Sequence, residues 1–415
     1  MGRAKRIPYG VSDFIDIIER NQYYVDKTMY IPKLEDEPDA LFFIRPRRFG
    51  KSLFISMLRA YYDIKRKDKF DKLFGNLWIG SHPTENQGKY QVLFLDFSKI
   101  GGSIDQLEEN FNAYCNECID SFIETYQEYY PERVVESVLK AKTAARKLNA
   151  IGIAAEKKNL PLYLIVDEYD NFTNVVLNEQ GEEVYTALTH ASGFYREIFK
   201  VFKGMFSKIF MTGVSPVTLD DLTSGFNIGW HISTKPAFNQ MLGFSTEDVR
   251  ELFTYYKENG EIRPDSDVEA IIEEMKPWYD NYCFSEECYG VEPSMYNSNM
   301  VIYYMNTLIT TGRPPKDMRD PNSKTDYAKM KRLVSLDRLD GDRKGVVRTI
   351  AEQGYIDTKV ETSFQAVDMI DPNLFVSLLY YYGMLTIGGT FLDRLHLVVP
   401  NLSVLDLYKR FIAKQ

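Results

Sequence analysis

Residues 41–53 read LFFIRPRRFGKSL. An apolar run entering a turn that ends in Gly-Lys-Ser has the form of a phosphate-binding loop. In such a loop the backbone N–H groups and a helix N-terminus face a polyphosphate. Gly50 would let the backbone approach the phosphates, Lys51 would reach the β and γ oxygens, and the Ser52 hydroxyl would ligate Mg²⁺. The first glycine of the usual pattern is replaced by Arg45. A strand-to-helix turn carrying a solvated Lys-Ser pair is the other reading of the same residues. A second chemical feature decides between them. The apolar run LYLIVDEYD ends in Asp167-Glu168, which supplies a carboxylate to hold Mg²⁺, directly or through water, and another to polarise an attacking water. Asp96, at the end of YQVLFLDF, competes for the metal role but has no acid after it. A Gly-Lys-Ser loop followed later by Asp-Glu at a strand end favours nucleotide binding more strongly than either motif alone.

The elements that must position these residues can be read from periodicity. Apolar residues Phe14, Ile17 and Ile18 mark a helix ahead of the first strand. After the loop, Leu53, Phe54, Met57, Leu58 and Tyr61 fall on one face of a helix over 51–65. Buried parallel strands are expected at 90–97, 161–167 and 206–218, the last breaking into a Gly-Ser-Pro loop. Between them a helix is expected over 104–130, closed by Pro131, and another over 132–159, rich in Ala and Lys. Strands alternating with helices imply a parallel sheet with right-handed crossovers. From about Gly243 the pattern turns helical, starting at a Ser-x-x-Asp cap. Residues 313–348 read as a loop or linker. A helix near 372–382, a hairpin and a closing helix over 402–412 suggest a winged-helix-like unit. The expected domains are 1–240, 241–345 and 346–415.

Composition narrows the function. With 415 residues, 44% hydrophobic and 26% charged, the chain is long enough for two or three folded domains. A net charge of −9 gives no global attraction for nucleic acid or an anionic membrane. From Val346 onward six Lys/Arg face seven Asp/Glu, which lacks the footprint of DNA binding. No apolar stretch approaches a membrane span, so the expected location is cytoplasmic. The four cysteines are expected as reduced thiols, with a four-thiolate zinc site over Cys115, Cys118, Cys283 and Cys288 the weaker alternative. The four histidines lack ligand spacing.

The strings IPYGVSDFIDIIERNQYYVDKTMYI, FIRPRRFGKSL, LIVDEYD and FMTGVSP, in this order, resemble a bacterial AAA-ATPase-like family; FNQMLGFSTEDV and WYDNYCFSEECYGVEPSMYN extend the likeness over essentially the whole chain. That family's loop usually reads Arg-Pro-Arg-Arg-Phe-Gly-Lys-Ser, so Arg45 is expected there. The resemblance implies a P-loop NTPase α/β fold with sheet order 5-1-4-3-2, related to archaeal-type and STAND-like ATPases. It implies ATP and Mg²⁺ as ligands. It implies a binding loop of Arg47, Arg48, Phe49, Gly50, Lys51, Ser52 and Leu53, with Ser52 and Asp167 on the metal. Lys51 and Glu168 then act in catalysis, joined by Thr212 as a polar sensor, with Ser215 a lesser candidate. Many members continue into a PD-(D/E)xK nuclease-like domain; here Asp357, Lys359 and Glu361 lack strand-turn-strand context and read as surface charges. Tyr24 and Lys27 lie where related ATPases contact the base, the alternative being a core tyrosine and a solvated lysine. Arg47 and Arg48 suit phosphate oxygens or a neighbouring subunit.

The expected function is Mg²⁺-dependent ATP binding and hydrolysis that drives domain or partner rearrangement. Two alternatives are a nucleotide-gated interaction module with little turnover and ATP-dependent DNA binding through the C-terminal unit. The expected partners are ATP and an unnamed protein. No membrane partner is expected, and assembly into oligomers is left open.

Overall fold

The computed structural model describes residues 4–171, 198–216, 229–321, 334, 342–362 and 374–413. Its centre is a parallel sheet built from β1 (Ala40–Ile44), β2 (Gln91–Asp96), β3 (Leu162–Asp167), β4 (Lys208–Gly213) and β5 (Trp230–His231). The order is β2-β3-β4-β1-β5, which is the expected 5-1-4-3-2 read from the other edge. Every residue of β1 and β3 is buried, as their unbroken apolar runs require of strands covered on both faces. In register, Phe43 lies beside Thr212, Val166 beside Met211 and Asp96 beside Asp167. The C-terminal ends of β1, β3 and β4 therefore meet at one edge of the sheet, where open α/β sheets bind ligands.

One face of the sheet is covered by the helix Lys51–Tyr62 and by the N-terminal helices Phe14–Glu19 and Tyr30–Glu35. Phe54, Met57, Leu58 and Tyr61 are buried there. Truncating Leu58 to Ala would cost roughly 2–5 kcal/mol, the usual range for a filled core site. The opposite face is covered by Ile104–Thr125, Glu132–Lys140 and Ala144–Lys157. Two expected long helices are shorter than their propensity suggests. Tyr126 leaves the first because its hydroxyl accepts from Val92 N and donates to Asp63, fixing the chain against β2. The second is split by an extended Ala141, and Thr143 then caps a new helix by accepting from Arg146 N.

Beyond β5 three α-helices come first. Thr246–Glu258, Val268–Tyr279 and Ser298–Thr311 share a core of Val249, Leu252, Phe253, Tyr279, Val301 and Tyr304. Ser245 and Asp248 form the expected capping box, and Asn297 caps Ser298–Thr311. The segment read as a linker is structured at its end, where Asp342 caps the helix Arg343–Gln353. Much of the rest of it lies outside the described residues.

The C-terminal unit follows that helix with β6 (Tyr355–Thr358), the helix Phe375–Tyr381, β7 (Thr386–Phe391), β8 (Arg394–Val398) and the helix Leu402–Ala413. The expected hairpin is β7–β8. β6 was not expected, and it joins β8 to complete an antiparallel sheet. Asp357 therefore sits on a strand, where it bonds His396 Nδ1 at 2.7 Å. Lys359 pairs with Asp393 at 2.9 Å. These charges hold the sheet's own side chains and do not form a nuclease core.

Candidate nucleotide site

The phosphate loop turns where glycine-like backbone is needed, and Arg45 is not that place. Left-handed residues occur at Arg48 (φ 72°) and Gly50 (φ 94°), whereas Arg45 does not adopt a positive φ. Gly50 is also the N-cap of Lys51–Tyr62, so the first N–H groups of that helix open onto the loop. The absent glycine costs the loop nothing in conformation.

Lys51 is 6% exposed, and its Nζ donates to Arg45 O at 2.9 Å and Pro46 O at 3.1 Å. Burial lowers its pKa, opposed by the fields of Glu168, Asp167 and Asp170. A buried ammonium held by two neutral carbonyls is poised to gain from an arriving anion. Ser52 Oγ donates to Asp167 Oδ2 at 2.7 Å. Burial pushes the Asp167 carboxyl up to about 6, and the Ser52 hydrogen bond works against that rise. A hydroxyl and a carboxylate oxygen converging at a strand end are hard donors of the kind Mg²⁺ accepts while keeping several waters. A bound cation would also remove the penalty for ionising Asp167.

Glu168 follows with a positive φ of 51° and its carboxylate 4.0 Å from Arg47. Thr212 is 1% exposed, and its Oγ1 has no hydrogen-bond partner in the described structure. It shares the loop-helix face of the sheet with Phe43, its register partner. An orphaned buried hydroxyl there suits a group that bonds something arriving at the strand ends. Ser215 is different: its Oγ donates to Asp170 at 2.8 Å, and Asp170 also accepts from Ser215 N and Val214 N. That residue is part of a clamp between the β3 and β4 loops. Asp96 accepts from Ser98 as a local cap and, as the register neighbour of Asp167, adds to the rise of that carboxyl's pKa.

A cavity of about 480 Å³ opens over the loop, bordered by Arg47, Arg48, Lys51, Ser52, Leu53 and Glu168. That volume lies within the usual range for a small-molecule site. Tyr24 and Lys27 border it as well. Lys27 is not simply solvated, since its Nζ binds Asp248 at 2.7 Å and ties the N-terminal segment to the first helix beyond the sheet. Tyr24 packs edge-on against Phe14, and burial raises its pKa. Phe49 lends the cavity its backbone while its ring, 1% exposed, packs edge-on against Tyr282 and Phe284.

The sequence reading missed the far wall. Leu242, Gly243, Phe244, Ser298, Asn299 and Ile302 complete the cavity from the helical part. Gly243 N donates to Phe49 O at 3.1 Å, and a Cβ at this residue (φ 88°) would meet Tyr296 O at 2.9 Å. Asn299 N and Ser298 Oγ both donate to Arg48 O, at 3.2 and 3.1 Å. No short motif announces such contacts, because they join positions some 250 residues apart. Among the described residues no group of three or more His, Cys, Asp or Glu side chains converges on a metal-sized site, and the four cysteines are free thiols.

A family model described as a predicted AAA-ATPase matches residues 8–223, more than half of the chain. The chain belongs to this predicted AAA-ATPase family. The match spans the loop, the acidic pair and Thr212, and membership implies nucleotide binding. An uncharacterized protein from the vnfD 5′ region of Azotobacter chroococcum mcd 1 is 25% identical over 302 residues, covering 68% of this chain and 49% of that protein. The chain thus spans about half the length of that curated relative. Two solved Aeropyrum pernix structures resemble this AAA-ATPase-like chain at low similarity. The ORC2 protein, in ADPNP-ADP complexes, has a TM-score of 0.39 at 12% identity, covering 94% of this chain and 92% of that one. The ORC1 protein in complex with DNA has a TM-score of 0.32 at 9% identity, covering 94% and 91%. No helix among the described residues is long and apolar enough to cross a membrane.

Proposed function

We propose that this chain is an Mg²⁺-dependent ATPase that uses the nucleotide to reposition its helical and C-terminal parts. The observation that carries the reading is the Ser52–Asp167 pair at 2.7 Å, with Ser52 and the adjacent Glu168 both lining the cavity. Gly50, Lys51 and the helix N-terminus hold the phosphates; Ser52 and Asp167 would hold the metal ion, which would offset charge on the transferring phosphoryl group. Glu168 orients and deprotonates the attacking water, and the Thr212 hydroxyl bonds that water or the γ-phosphate. Tyr24, Val25 and Ile302 also line the cavity and take the base.

Arg47 lies within ion-pair distance of Glu168, which favours a second reading in which nucleotide is held and turned over slowly until Arg47 moves away. Contacts from Ser298 and Asn299 to the loop carbonyls supply the route by which occupancy reaches the helical part. The helix, strand, helix, hairpin and helix at the C-terminus form a winged-helix-like unit. Its balanced charge favours a protein partner over DNA.

Titration calorimetry with ATP and Mg²⁺ tests the reading. The wild-type chain is expected to bind, and Lys51→Ala to bind at least about tenfold more weakly, the loss of a charge-assisted contact. Equal binding by both proteins, or none by either, would refute it.

A further inference from the structure

Arg45 occupies the position of the usual first glycine, yet it is not among the residues that line the cavity. It is 1% exposed. Nη1 donates to Ile44 O at 3.0 Å and Ser233 O at 2.7 Å, and Nη2 donates to Phe238 O at 2.8 Å. The guanidinium carbon stands 4.4 Å from the Phe43 ring centroid and 4.1 Å from that of Phe284. No carboxylate among the described residues lies within ion-pair distance. Burial lowers its pKa to about 9, which leaves it charged at neutral pH. A buried cation without a counter-ion is an expensive way to fill space, since an apolar side chain of similar volume would cost less. The planar fork explains the choice, because it can satisfy carbonyls in separate segments while lying on aromatic faces.

The backbone of the same residue serves the loop. Arg45 O accepts from Lys51 Nζ, and Arg45 N approaches Gly213 O at 3.4 Å. The side chain thus locks the end of β1 to the segment after β5 and to Phe284 of the helical part. The carbonyl of that locked residue sets where the Lys51 ammonium rests.

We propose that Arg45 is a positioning residue for Lys51: a buried cation that fixes the start of the phosphate loop, so that introducing the glycine of the general phosphate-loop pattern would impair the site. The proposal rests on the nucleotide-binding reading above, and it names a residue that touches neither phosphate nor metal.

The test compares wild type with Arg45→Gly, Arg45→Met and Arg45→Lys, measuring Kd for ATP and for ADP with Mg²⁺ alongside thermal melting. Lys51 reaches the β and γ oxygens, so its misplacement should weaken ATP more than ADP. Arg45→Gly is expected to lose about tenfold or more in ATP affinity and to narrow the ATP-to-ADP preference. Arg45→Met keeps bulk against the two rings without donors and is expected to narrow that preference too, while Arg45→Lys, retaining charge and donors, stays closer to wild type. If Arg45→Gly does not fold, the Met and Lys variants decide the matter. ATP binding by Arg45→Gly or Arg45→Met equal to wild type would overturn the proposal. So would equal losses for ATP and ADP that track melting temperature, the mark of a purely structural role. Failure of the wild type itself to bind would instead remove the nucleotide-binding reading, and this inference with it.

Discussion

Lys51, Ser52 and Asp167 were legible because their chemistry is local: a short motif and a strand end each announce one side chain, and the fold brings them to 2.7 Å between Ser52 and Asp167. The role of Arg45 was not legible, because its three acceptors and two rings come from residues 43, 44, 233, 238 and 284. Phe49 shows the same limit, since its ring belongs to the core although its backbone borders the cavity. A further prediction at this scale concerns His231 on β5. Burial, assisted by the Arg45 charge, lowers its pKa from 6.5 to about 4, and its Nε2 has no hydrogen-bond partner. The folded pKa lies below the unfolded one, so the unfolded chain binds the extra proton between these values. Stability from this residue is full above about pH 6.5 and declines as the pH falls towards 4. Urea unfolding across that range should show wild type losing more stability with acid than His231→Gln; parallel curves would exclude the histidine as a source.

Strands and short apolar-faced helices followed the hydrophobic pattern closely, because burial on two faces or one leaves a direct trace in sequence. Element ends were harder to read. Tyr126 and Thr143 end or restart helices through hydrogen bonds to distant or local backbone, which propensity does not record. β6 escaped notice because its partner β8 lies some 40 residues on and its faces are half-exposed. The element that crosses the loop yields the clearest prediction. Gly243→Val would place a branched side chain at φ 88° against Tyr296 O and the Phe49 ring. A loss of roughly 1–3 kcal/mol is expected from backbone strain, with weakened nucleotide binding as Phe49 shifts. Unchanged melting and unchanged ATP affinity would show that the crossing does not support the loop.

The N-terminal, sheet and helical parts meet at the cavity. The N-terminal segment reaches the helical part through Lys27 and Asp248, the loop meets Ser298 and Asn299, and Arg319 pairs with Asp406 of the closing helix. Because Lys27, Ser298 and Asn299 line the cavity, ATP with Mg²⁺ should raise hydrogen-exchange protection in residues 45–53 and 297–302 together. Protection confined to the loop would separate nucleotide binding from the helical part. The most direct measurement of the central claim is phosphate release from Mg-ATP by wild type and by Glu168→Gln, with ATP binding measured on both. Wild type should release phosphate, and Glu168→Gln should bind ATP comparably while turnover falls by about a hundredfold or more, the usual scale for losing a general base. Equal release by the two proteins, or no release by the wild type, would contradict the assignment of an ATPase site to Ser52, Asp167 and Glu168.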